Sequence, residues 1–536
     1  MQEDLPHAIA LHRAGRLPEA ELAYLKILAQ RPDDAQAMQL LGLIACQQND
    51  FTRASELIEQ AIARAPGNGE FHINLAEVKR RMNRLDEAEA SLRRAAELVP
   101  ENAFVWYNLG VVMRNLKPAE AMAAFEKAIA IEPRLAEAHN NLGLLQHQAG
   151  DYAAAIESFR RSLLVRPNHA ETENNLGLSL WKVHREHEAV GFFKEAIKRR
   201  QDFPAAHLNL GTALRKLGRR SEAVAALRRS VELDPSAAEA YSELGRALVE
   251  TGRVEDGIEA CRRAVDVGPG NGDNWHALAS ALLAKAVRDP APDSQPRLDA
   301  IAALERAVEL QPAMSEWAFE LAAARGQTPA HPPDAFVRSL FEEYAPRFEN
   351  HLVKELHYNV PQQLVAELLR LRPEPRQKWR VLDLGCGTGI CGELLRPHAS
   401  RIVGVDLAPA MVELARGRGK GAVYDEVICA PAAAALGGME NQFDVITAGD
   451  FFIYVGAMDE ILAAAARALR PGGLFAFSLE RHEGDGFVLH RRQRYAHSLG
   501  YVRAAAAAAG LREAAVREAH LRDDVPAGWI VVVERQ

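Results

Sequence analysis

The chain of 536 residues is too long for a single hydrophobic core, so we expect several domains. Hydrophobic residues make up 48% of it and charged residues 25%, which is an ordinary globular composition. The formal net charge of −8 leaves no excess of Lys and Arg to neutralise phosphates, which disfavours sequence-independent nucleic-acid binding.

The cysteines are scattered along the chain and none belongs to a CxxC pair or a Cys/His cluster. They are Cys46, Cys261, Cys386, Cys391 and Cys429. This pattern predicts a reducing compartment, without disulfides and without a metal site. The N-terminus has early acidic residues and no apolar core, so it does not resemble a signal peptide, and no apolar run is long enough to span a membrane. We therefore expect a cytoplasmic protein with no membrane partner.

The first 325 residues repeat themselves with a period of 34. A Leu-Gly or Leu-Ala pair marks each unit after the first, at Leu41-Gly42, Leu75-Ala76, Leu109-Gly110, Leu142-Gly143, Leu176-Gly177, Leu210-Gly211, Leu244-Gly245 and Leu278-Ala279. A small residue follows most pairs, at Ala54, Ala88, Ala121, Ala155, Ala189, Ala223 and Gly257, and a large one comes four positions later, as in Phe125, Phe159 and Phe193. Small positions let two helices approach closely, and large ones fill the space between them.

This pattern resembles the tetratricopeptide repeat, in which each unit is a pair of antiparallel helices. The resemblance implies an all-α superhelix of about nine repeats over residues 1–325, with a concave face lined by the first helix of each pair. Residues 315–325 are expected to form a capping helix, and residues 285–297, rich in Pro, Asp and Ser, are expected to form a loop inserted in the ninth repeat.

Five successive repeats carry an asparagine at the same position, one residue before the Leu of the pair: Asn74, Asn108, Asn141, Asn175 and Asn209. Equivalent positions share one face of the array, so these residues predict a ladder of amides along the groove. An amide both donates and accepts hydrogen bonds, which suits the backbone of an extended peptide. The array resembles that of the O-linked N-acetylglucosamine transferases, whose matching asparagines bind the substrate main chain. The alternative is that the asparagines only bridge neighbouring repeats.

A Pro-rich stretch, residues 326–334, is predicted to be the linker between two domains. From residue 335 the apolar residues recur at helical spacing, including Phe336, Leu340 and Tyr344, before the first strand signal at residue 380. The second domain is therefore predicted over residues 335–536.

A buried strand at residues 380–384 runs directly into a glycine-rich turn and then a helix, in the sequence VLDLGCGTGICG. Glycines let backbone N–H groups approach a ligand, and the helix N-terminus is electropositive. The dinucleotide fingerprint G-x-G-x-x-G fails, because its sixth position is Ile390. The pattern D-x-G-x-G-x-G is present instead, and a further acid, Asp406, follows at the end of the next strand.

Together these residues resemble the first motifs of class I S-adenosylmethionine-dependent methyltransferases. The resemblance implies an α/β doubly wound, Rossmann-like domain of seven strands that closes with an antiparallel hairpin. It implies S-adenosylmethionine as the cofactor, contacted by Asp383, Gly385, Cys386, Gly387, Gly389, Asp406, Leu407, Ala430, Asp450 and Tyr344. The sequence departs from the family after the third strand, where Cys429, Ala430 and Pro431 stand in place of the usual acid.

The segments DFFIYVG and RYAHSLGYV resemble a bacterial group of predicted methyltransferases, some of them fused to tetratricopeptide arrays. In this fold the polar residues after the fourth and fifth strands face the substrate, which makes Asp450, Tyr495 and His497 the candidate catalytic residues. A hydroxyl acceptor needs a base, for which His497 comes first and Asp450 second. A carboxylate or thiolate acceptor needs none, and Tyr495 with Arg494 would then only orient it. The (N/D)PPY motif is absent, which disfavours a nucleic-acid substrate.

Three functions remain open from the sequence. The first is a methyltransferase whose array recruits a protein or peptide through its concave face. The second is a small-molecule methyltransferase in which the array is a scaffold. The third is a non-catalytic adaptor, which the intact acids and glycines disfavour. The sequence leaves the acceptor and the oligomeric state undetermined.

Overall fold

The computed structural model describes residues 4–287, 291, 293–345, 348–349, 352, 356–373, 378–419, 422–490, 493–523 and 527–536. The chain divides into two compact units, Met1–Ala247 and Leu248–Gln536. Part of the predicted insertion in the ninth repeat, residues 288–290 and 292, lies outside the described residues. Among the described helices, none is long and apolar enough to cross a lipid bilayer.

The first unit consists of helices that pack in sequence order. They are α1 (Leu5–Arg13), α2 (Leu17–Gln30), α3 (Ala35–Gln47), α4 (Phe51–Arg64), α5 (Gly69–Arg81), α6 (Leu85–Leu98), α7 (Ala103–Met113), α8 (Pro118–Ile131), α9 (Ala136–Gln148), α10 (Tyr152–Val165), α11 (Ala170–Lys182), α12 (Glu186–Arg199), α13 (Pro204–Lys216), α14 (Arg220–Leu233) and α15 (Ala238–Glu250), the last of which crosses the boundary between the units. This is the predicted all-helical array of antiparallel pairs.

The two helices of a pair interlock through one small and one large residue. A Cβ added at Gly110 of α7 would lie 2.6 Å from the Phe125 ring of α8. The same close approach joins Gly143 to Phe159 and Gly177 to Phe193, where the distances would be 2.8 and 2.6 Å. Each ring is almost completely buried, so the glycine is required to make room for it.

A second recurring contact fixes the turn that precedes the first helix of a pair. Trp106 Nε1 donates to the carbonyl of Pro100 at 2.8 Å, and His139 Nε2 lies 3.0 Å from the carbonyl of Pro133. His207 makes the same contact with the carbonyl of Gln201, at 3.1 Å. Because the turn uses the carbonyl and not the ring, the sixth repeat keeps this contact without a proline.

The second unit contains helices and one mixed sheet. Its helices are α16 (Val254–Val267), α17 (Gly272–Ala286), α18 (Gln295–Leu310), α19 (Ser315–Ala324), α20 (Asp334–Tyr344), α21 (Val360–Leu371), α22 (Ile390–Leu395), α23 (Pro409–Arg416), α24 (Ala432–Leu436), α25 (Asp459–Ala468) and α26 (Leu499–Ala508). Its strands are β1 (Trp379–Leu384), β2 (Ala399–Asp406), β3 (Glu426–Cys429), β4 (Phe443–Ala448), β5 (Leu469–Arg481), β6 (Phe487–Leu489), β7 (Tyr495–His497), β8 (Leu511–Ala519) and β9 (Gly528–Arg535).

The sheet has the predicted doubly wound order. Strands β3, β2, β1, β4 and β5 lie side by side and are parallel. Strand β9 pairs antiparallel with β5, and β8 pairs antiparallel with β9, which confirms the closing hairpin. Strands β6 and β7 form a short extra hairpin that the sequence did not predict, and β7 continues the sheet beside the last residues of β5.

Side chains alternate between the two faces of the sheet, and helices cover both. On one face Leu382, Val403 and Phe477 pack with residues of α25 and α26. On the other face Val381 and Ile402 pack with residues of α21 and α22. The carboxyl ends of β1, β2 and β4 therefore meet at one uncovered edge, where ligands bind in this class of fold.

The Pro-rich segment predicted to be a linker is packed onto the second unit. Leu489 N donates to Thr328 Oγ1 at 3.2 Å, Tyr495 Oη donates to the carbonyl of Pro329 at 2.9 Å, and Ala457 N donates to the carbonyl of Ala330 at 2.8 Å. Helix α19, the predicted cap of the array, also packs here, with Phe319 against the Tyr495 ring. These contacts attach residues 319–330 to the sheet-containing part of the second unit.

Candidate functional site

A cavity of about 420 Å³ opens at the carboxyl edge of the sheet. Its lining comes from the loops that follow β1, β2, β3 and β4, from α20, and from Arg494 and Arg522 near the end of the chain. One end of the cavity lies against the glycine-rich turn, and the other end lies against charged residues.

The glycine-rich turn presents its backbone to the cavity. Gly385, Gly387 and Gly389 have φ values of +64°, +54° and +90°, a region that L side chains rarely adopt. A Cβ added at Gly387 would have no neighbour closer than Phe348 Cζ, at 3.9 Å, so this side of the turn is open. Gly385 N and Cys386 N donate to the carbonyl of Val405 at 2.8 and 3.0 Å, which ties the turn to the end of β2.

Asp406 shapes the turn from the neighbouring strand. Its Oδ2 accepts from Gly387 N at 2.9 Å and its Oδ1 accepts from Ala408 N at 3.0 Å. Burial raises the pKa of this carboxyl, and the backbone donors oppose that shift. Asp406 lines the cavity, so it combines a structural contact with a position at which a ligand can reach it.

Asp383 lies under the same turn and is 1% exposed. Tyr424 Oη donates to its Oδ2 and Thr447 Oγ1 to its Oδ1, both at 2.7 Å. Burial raises the pKa of Asp383 to about 6, although both hydroxyl donors favour the ionised form. The carboxylate therefore connects β1 to β4 and to the loop before β3 beneath the cavity.

Tyr424 is a residue that the sequence analysis missed. A Cβ added at Gly392 would lie 2.4 Å from its ring, and one at Gly389 would lie 2.9 Å from it. Gly404 of β2 leaves room for the same ring, at 3.0 Å. Three glycines thus surround one buried tyrosine, and only this excess of glycine in the sequence indicated a large neighbour.

Helix α20 and the residues after it form an aromatic wall over the turn. Tyr344 and Phe348 lie edge to face with ring centroids 5.2 Å apart, and both line the cavity. Phe341 meets the Tyr454 ring at 5.1 Å. Glu342 Oε1 accepts from Ala410 N at 3.1 Å, which holds α20 against the start of α23. The wall is therefore anchored to the same strand end that carries Asp406.

Most of the residues predicted to contact the cofactor line this cavity together. They are Asp383, Gly385, Cys386, Gly387, Asp406, Leu407, Ala430, Asp450 and Tyr344. Gly389 is not among the lining residues and instead precedes α22, against Tyr424. After β3 the wall consists of Ala430, Pro431, Ala432 and Ala433, so this part of the cavity is apolar where the family usually has an acid.

Asp450 opens the charged end of the cavity, directly after β4. Its φ is +52°, its backbone N donates to Ser478 Oγ at 2.8 Å, and its carboxylate is bonded by Arg522. Arg522 is 1% exposed and also donates to Glu480 Oε1 at 2.6 Å. A buried guanidinium requires such partners, because an uncompensated buried charge is strongly destabilising. Arg522 is a second residue that the sequence analysis missed.

Arg494 and two tyrosines complete this end. Arg494 Nη1 lies 3.9 Å from Glu480 Oε1, and its side chain is 24% exposed. Burial raises the pKa of Tyr454, and a hydrogen bond with Arg494 opposes that shift. Tyr358 is also buried, which raises its pKa well above the usual value. Burial therefore holds both phenols neutral, Tyr454 beside Arg494 and Tyr358 near Arg522.

The structure places Tyr495 and His497 outside this cavity. Neither is a lining residue, and both side chains are fully buried. The hydroxyl of Tyr495 is bonded to Pro329, and His497 Nε2 donates to the carbonyl of Gly456 at 2.9 Å. Burial lowers the pKa of His497 to about 4, so its imidazole is neutral. Their predicted catalytic roles stay predictions, and no described contact supports them.

The asparagines of the ladder are half-buried in the first unit. Asn209 Nδ2 donates to Asn174 Oδ1 at 2.8 Å, which does bridge neighbouring repeats, and Asn141 Nδ2 donates to the carbonyl of Glu137 at 2.9 Å. Within the described part of the chain, the side-chain amides of Asn74, Asn108 and Asn175 make no hydrogen bond. The bridging alternative therefore accounts for Asn209 and not for these three.

Comparison with protein families agrees with both parts of this architecture. A family described as a methyltransferase domain matches residues 382–477. Tetratricopeptide repeat families match residues 5–69, 45–109, 134–202 and 208–272. The matched region of the second unit begins in β1 and ends in β5, so it contains the glycine-rich turn, Asp406 and Asp450.

Among curated proteins, the ubiquinone biosynthesis O-methyltransferase of Thiobacillus denitrificans is 32% identical over 166 residues, which are 29% of this chain and 67% of that protein. The protein of the same name from Bordetella avium is 27% identical over 183 residues, which are 32% of this chain and 73% of that protein.

Among solved structures, the tetratricopeptide protein YrrB, titled as having an unusual peptide-binding site, is 22% identical. The match covers 35% of this chain and 96% of YrrB, with a TM-score of 0.31. An S-adenosylmethionine-dependent methyltransferase from Mesorhizobium loti is 23% identical over 32% and 98%, with a TM-score of 0.26.

Proposed function

Because the chain belongs, through its sheet-containing region, to the methyltransferase family, we propose that its cavity binds S-adenosylmethionine and transfers the methyl group to an acceptor held at the charged end. The observation that carries this proposal is the open backbone of the glycine-rich turn beside Asp406 and under the wall of Tyr344 and Phe348. When bound there, S-adenosylmethionine supplies a methyl group activated on a sulfonium.

The residues of the cavity fit this cofactor. It carries positive charge on its sulfonium and its ammonium group, and Asp383, Asp406 and Asp450 supply carboxyl groups along one side of the cavity. The nucleoside requires an apolar surface with few polar groups, which the alanines and proline after β3 provide. Asp406 is the carboxylate placed to accept from the ribose hydroxyls, as it is in related folds.

In methyl transfer the main task of the protein is to align the donor with the acceptor. The turn and the aromatic wall would hold the donor in one orientation, and the charged end would hold the acceptor in line with it. Apolar side chains such as Phe451 and Ile453 line the cavity between the two ends and would exclude water, which competes as an acceptor.

Binding of S-adenosylmethionine to the Asp406→Ala variant tests the site. The variant loses both the carboxylate at the ribose position and the bond to Gly387 N, so we expect at least a tenfold loss of affinity, or about 1.4 kcal/mol, by calorimetry. Asp425→Ala is a matched control, because Asp425 Oδ2 also accepts a backbone N–H from β2, that of Ile402 at 2.7 Å, but does not line the cavity. Equal affinity in wild type and Asp406→Ala would refute the proposed cofactor site.

We also propose that the array recruits a protein or peptide that is either the substrate or a partner. Tetratricopeptide repeats are protein-interaction modules. The half-buried amides of Asn74, Asn108 and Asn175 support the proposal, because each can donate to and accept from an extended backbone. Because these amides are only half-buried, a peptide in the groove can reach them, which gives them a role that packing does not.

The test compares full-length proteins in an extract supplied with S-adenosylmethionine labelled on the methyl group. In one variant all five ladder asparagines become Ala, and in the control the exposed Gln60, Glu126 and Lys194 of the second helices become Ala. We expect the ladder variant alone to lose labelled or co-purified protein. If both variants keep the same protein partners, the ladder asparagines do not bind those partners.

A small-molecule methyltransferase is the second candidate, because the curated relatives are named as O-methyltransferases of ubiquinone biosynthesis. In that case the label enters acid-soluble compounds, and the ladder variant labels them as well as wild type does. A non-catalytic adaptor is disfavoured because the turn, Asp383 and Asp406 are all in place and in contact.

A further inference from the structure

Four charged side chains surround the acceptor end of the cavity. Asp450 and Glu480 carry the negative charges, and Arg494 and Arg522 carry the positive charges. Both arginines line the cavity, whereas of the two acids only Asp450 does. The cavity lining therefore places two guanidinium groups beside the Asp450 carboxylate, and Glu460 and Asp334 are further carboxyl groups of the same lining.

The two arginines differ in what they contact. Arg522 is 1% exposed, and its two terminal nitrogens are bonded to Asp450 and Glu480. It therefore fixes the position of the Asp450 carboxylate at the end of β4. Its hydrogen bonds are directed at these two acids, so we assign it a positioning role.

Arg494 is the more accessible of the two. Its side chain is 24% exposed, and Glu480, whose carboxylate is bonded by Arg522, lies 3.9 Å from it. A guanidinium has five N–H donors in a planar fork, so it can keep its contact with Tyr454 and still present a face to a ligand. That fork matches the two oxygens of a carboxylate better than any neutral group.

We propose that the methyl acceptor is a carboxylate, held by Arg494 beside the Asp450–Arg522 pair, and that the product is a methyl ester. This inference rests on the proposed function of the cavity as an S-adenosylmethionine-dependent methyl-transfer site. The carboxylate belongs either to a side chain or terminus of a protein or to a small organic acid. In both cases the Arg494 guanidinium would bind the same carboxylate group.

The step needs no proton transfer. A carboxylate oxygen forms the new C–O bond to the methyl carbon while the carbon–sulfur bond breaks and its electron pair stays on sulfur. Positive charge on the sulfonium and negative charge on the acceptor are both lost, and no base is consumed. A hydroxyl acceptor would instead require a base, and the cavity wall offers few.

The titratable groups of the described wall agree with an acceptor that is already ionised. Asp450 is bonded by Arg522 and by the Ser478 hydroxyl, and a carboxylate held by a cation is a weak base. His497 lies outside the cavity. His331, in the segment before α20, is the remaining imidazole on the described wall, and it is exposed. Asp334 and Glu460 are exposed carboxyl groups of the same wall, so a hydroxyl mechanism would have to use one of these three side chains as its base.

The experiment uses the full chain, methyl-labelled S-adenosylmethionine and an extract of the source cells, followed by mild alkali. Alkali hydrolyses a methyl ester to volatile labelled methanol, whereas methyl ethers and methylamines keep the label. We expect volatile label. Recovery from the acid-precipitated fraction identifies a protein carboxylate, and recovery from the soluble fraction identifies a small acid.

Variants connect that product to Arg494. Arg494→Met should reduce transfer at least tenfold while calorimetry shows affinity for S-adenosylmethionine within twofold of wild type, and Arg494→Lys should restore part of it. Arg481→Met is the control, since Arg481 pairs with Glu518 and does not line the cavity.

Alkali-stable label, or full transfer by Arg494→Met, would overturn the inference. Stable label that is lost in His331→Ala would identify a hydroxyl acceptor. An enzyme that binds no S-adenosylmethionine, or binds it and transfers nothing, would refute the proposed function instead.

Discussion

The Lys79 network of the repeat array and the Arg522 network of the cavity bury charge to different depths. In the array Lys79 is 6% exposed, but its partners Glu59 and Glu87 are 50% and 42% exposed. At the cavity Arg522 is 1% exposed and its partners Asp450 and Glu480 are only 13% and 10% exposed. The array keeps at least one member of this network in water, whereas the cavity withdraws all three groups from it. Burial of a complete ion-pair network is weak support for stability, and its cost at the cavity fits the positioning role that we propose for Arg522.

The largest effect is expected where packing alone acts. Phe125→Ala removes the ring that fills the space left by Gly110, and the glycine backbone cannot move into it. We expect a loss of about 3–5 kcal/mol in the free energy of unfolding, measured by chemical denaturation. The control is Phe104→Ala, because Phe104 is 59% exposed and should change stability by no more than about 0.5 kcal/mol. A loss below about 1 kcal/mol for Phe125→Ala would mean that the array tolerates the cavity by closing around it.

A smaller, pH-dependent effect is expected beneath the glycine-rich turn. The pKa of Asp383 is raised to about 6 in the folded protein, compared with roughly 3.9 in an unfolded chain. The folded state therefore binds this proton more tightly, and the resulting stability is complete below about pH 4 and is lost as the pH rises through about 6. The shift corresponds to on the order of 3 kcal/mol.

Asp383→Asn removes this titration. The unfolding free energy of wild type, relative to the variant, should rise by up to about 3 kcal/mol between pH 7 and pH 4. Denaturant titrations at several pH values measure it, with Asp485→Asn on an exposed loop as the control. Parallel curves for wild type and Asp383→Asn would show that the hydroxyls of Tyr424 and Thr447 compensate the burial of the carboxylate fully.

The comparison also explains what the sequence could predict. In the array the contact between a small and a large residue recurs in successive repeats at nearly the same spacing, so the pairing of Gly110 with Phe125 follows from the repeat pattern. The glycine-rich turn was equally accessible, because its residues are contiguous and its partner Asp406 ends the next strand. Tyr424 and Arg522 were missed because their partners, Asp383 and Asp450, lie 41 and 72 residues away, and no local pattern connects them.

The short hairpin β6–β7 shows why the sequence could not tell which side chains after β5 line the cavity. Tyr495 and His497 do follow β5, as in the family, but they belong to a strand in which alternate residues point to opposite faces. Both therefore share the face that packs against the segment 328–330 and the carbonyl of Gly456. Arg494 precedes them by one residue and lines the cavity. The alternation of side chains along this three-residue strand decides which of them can line the cavity, and the sequence does not fix where that alternation starts.

Tyr495→Phe distinguishes a role in packing against the segment 328–330 from a role in catalysis, and it has the smallest expected effect. The variant loses one hydrogen bond, to the Pro329 carbonyl, and keeps the ring contact with Phe319, so stability should fall by about 1 kcal/mol. Burial raises the pKa of this phenol, and the hydroxyl faces a backbone carbonyl and not the cavity, so methyl transfer should stay within twofold of wild type. Tyr454→Phe is the matched control, because Tyr454 lines the cavity beside Arg494, and transfer should fall there. The opposite result would be transfer that is lost in Tyr495→Phe and kept in Tyr454→Phe. The catalytic role predicted for Tyr495 from the sequence would then be correct, and the β6–β7 hairpin would have to present its other face to the acceptor.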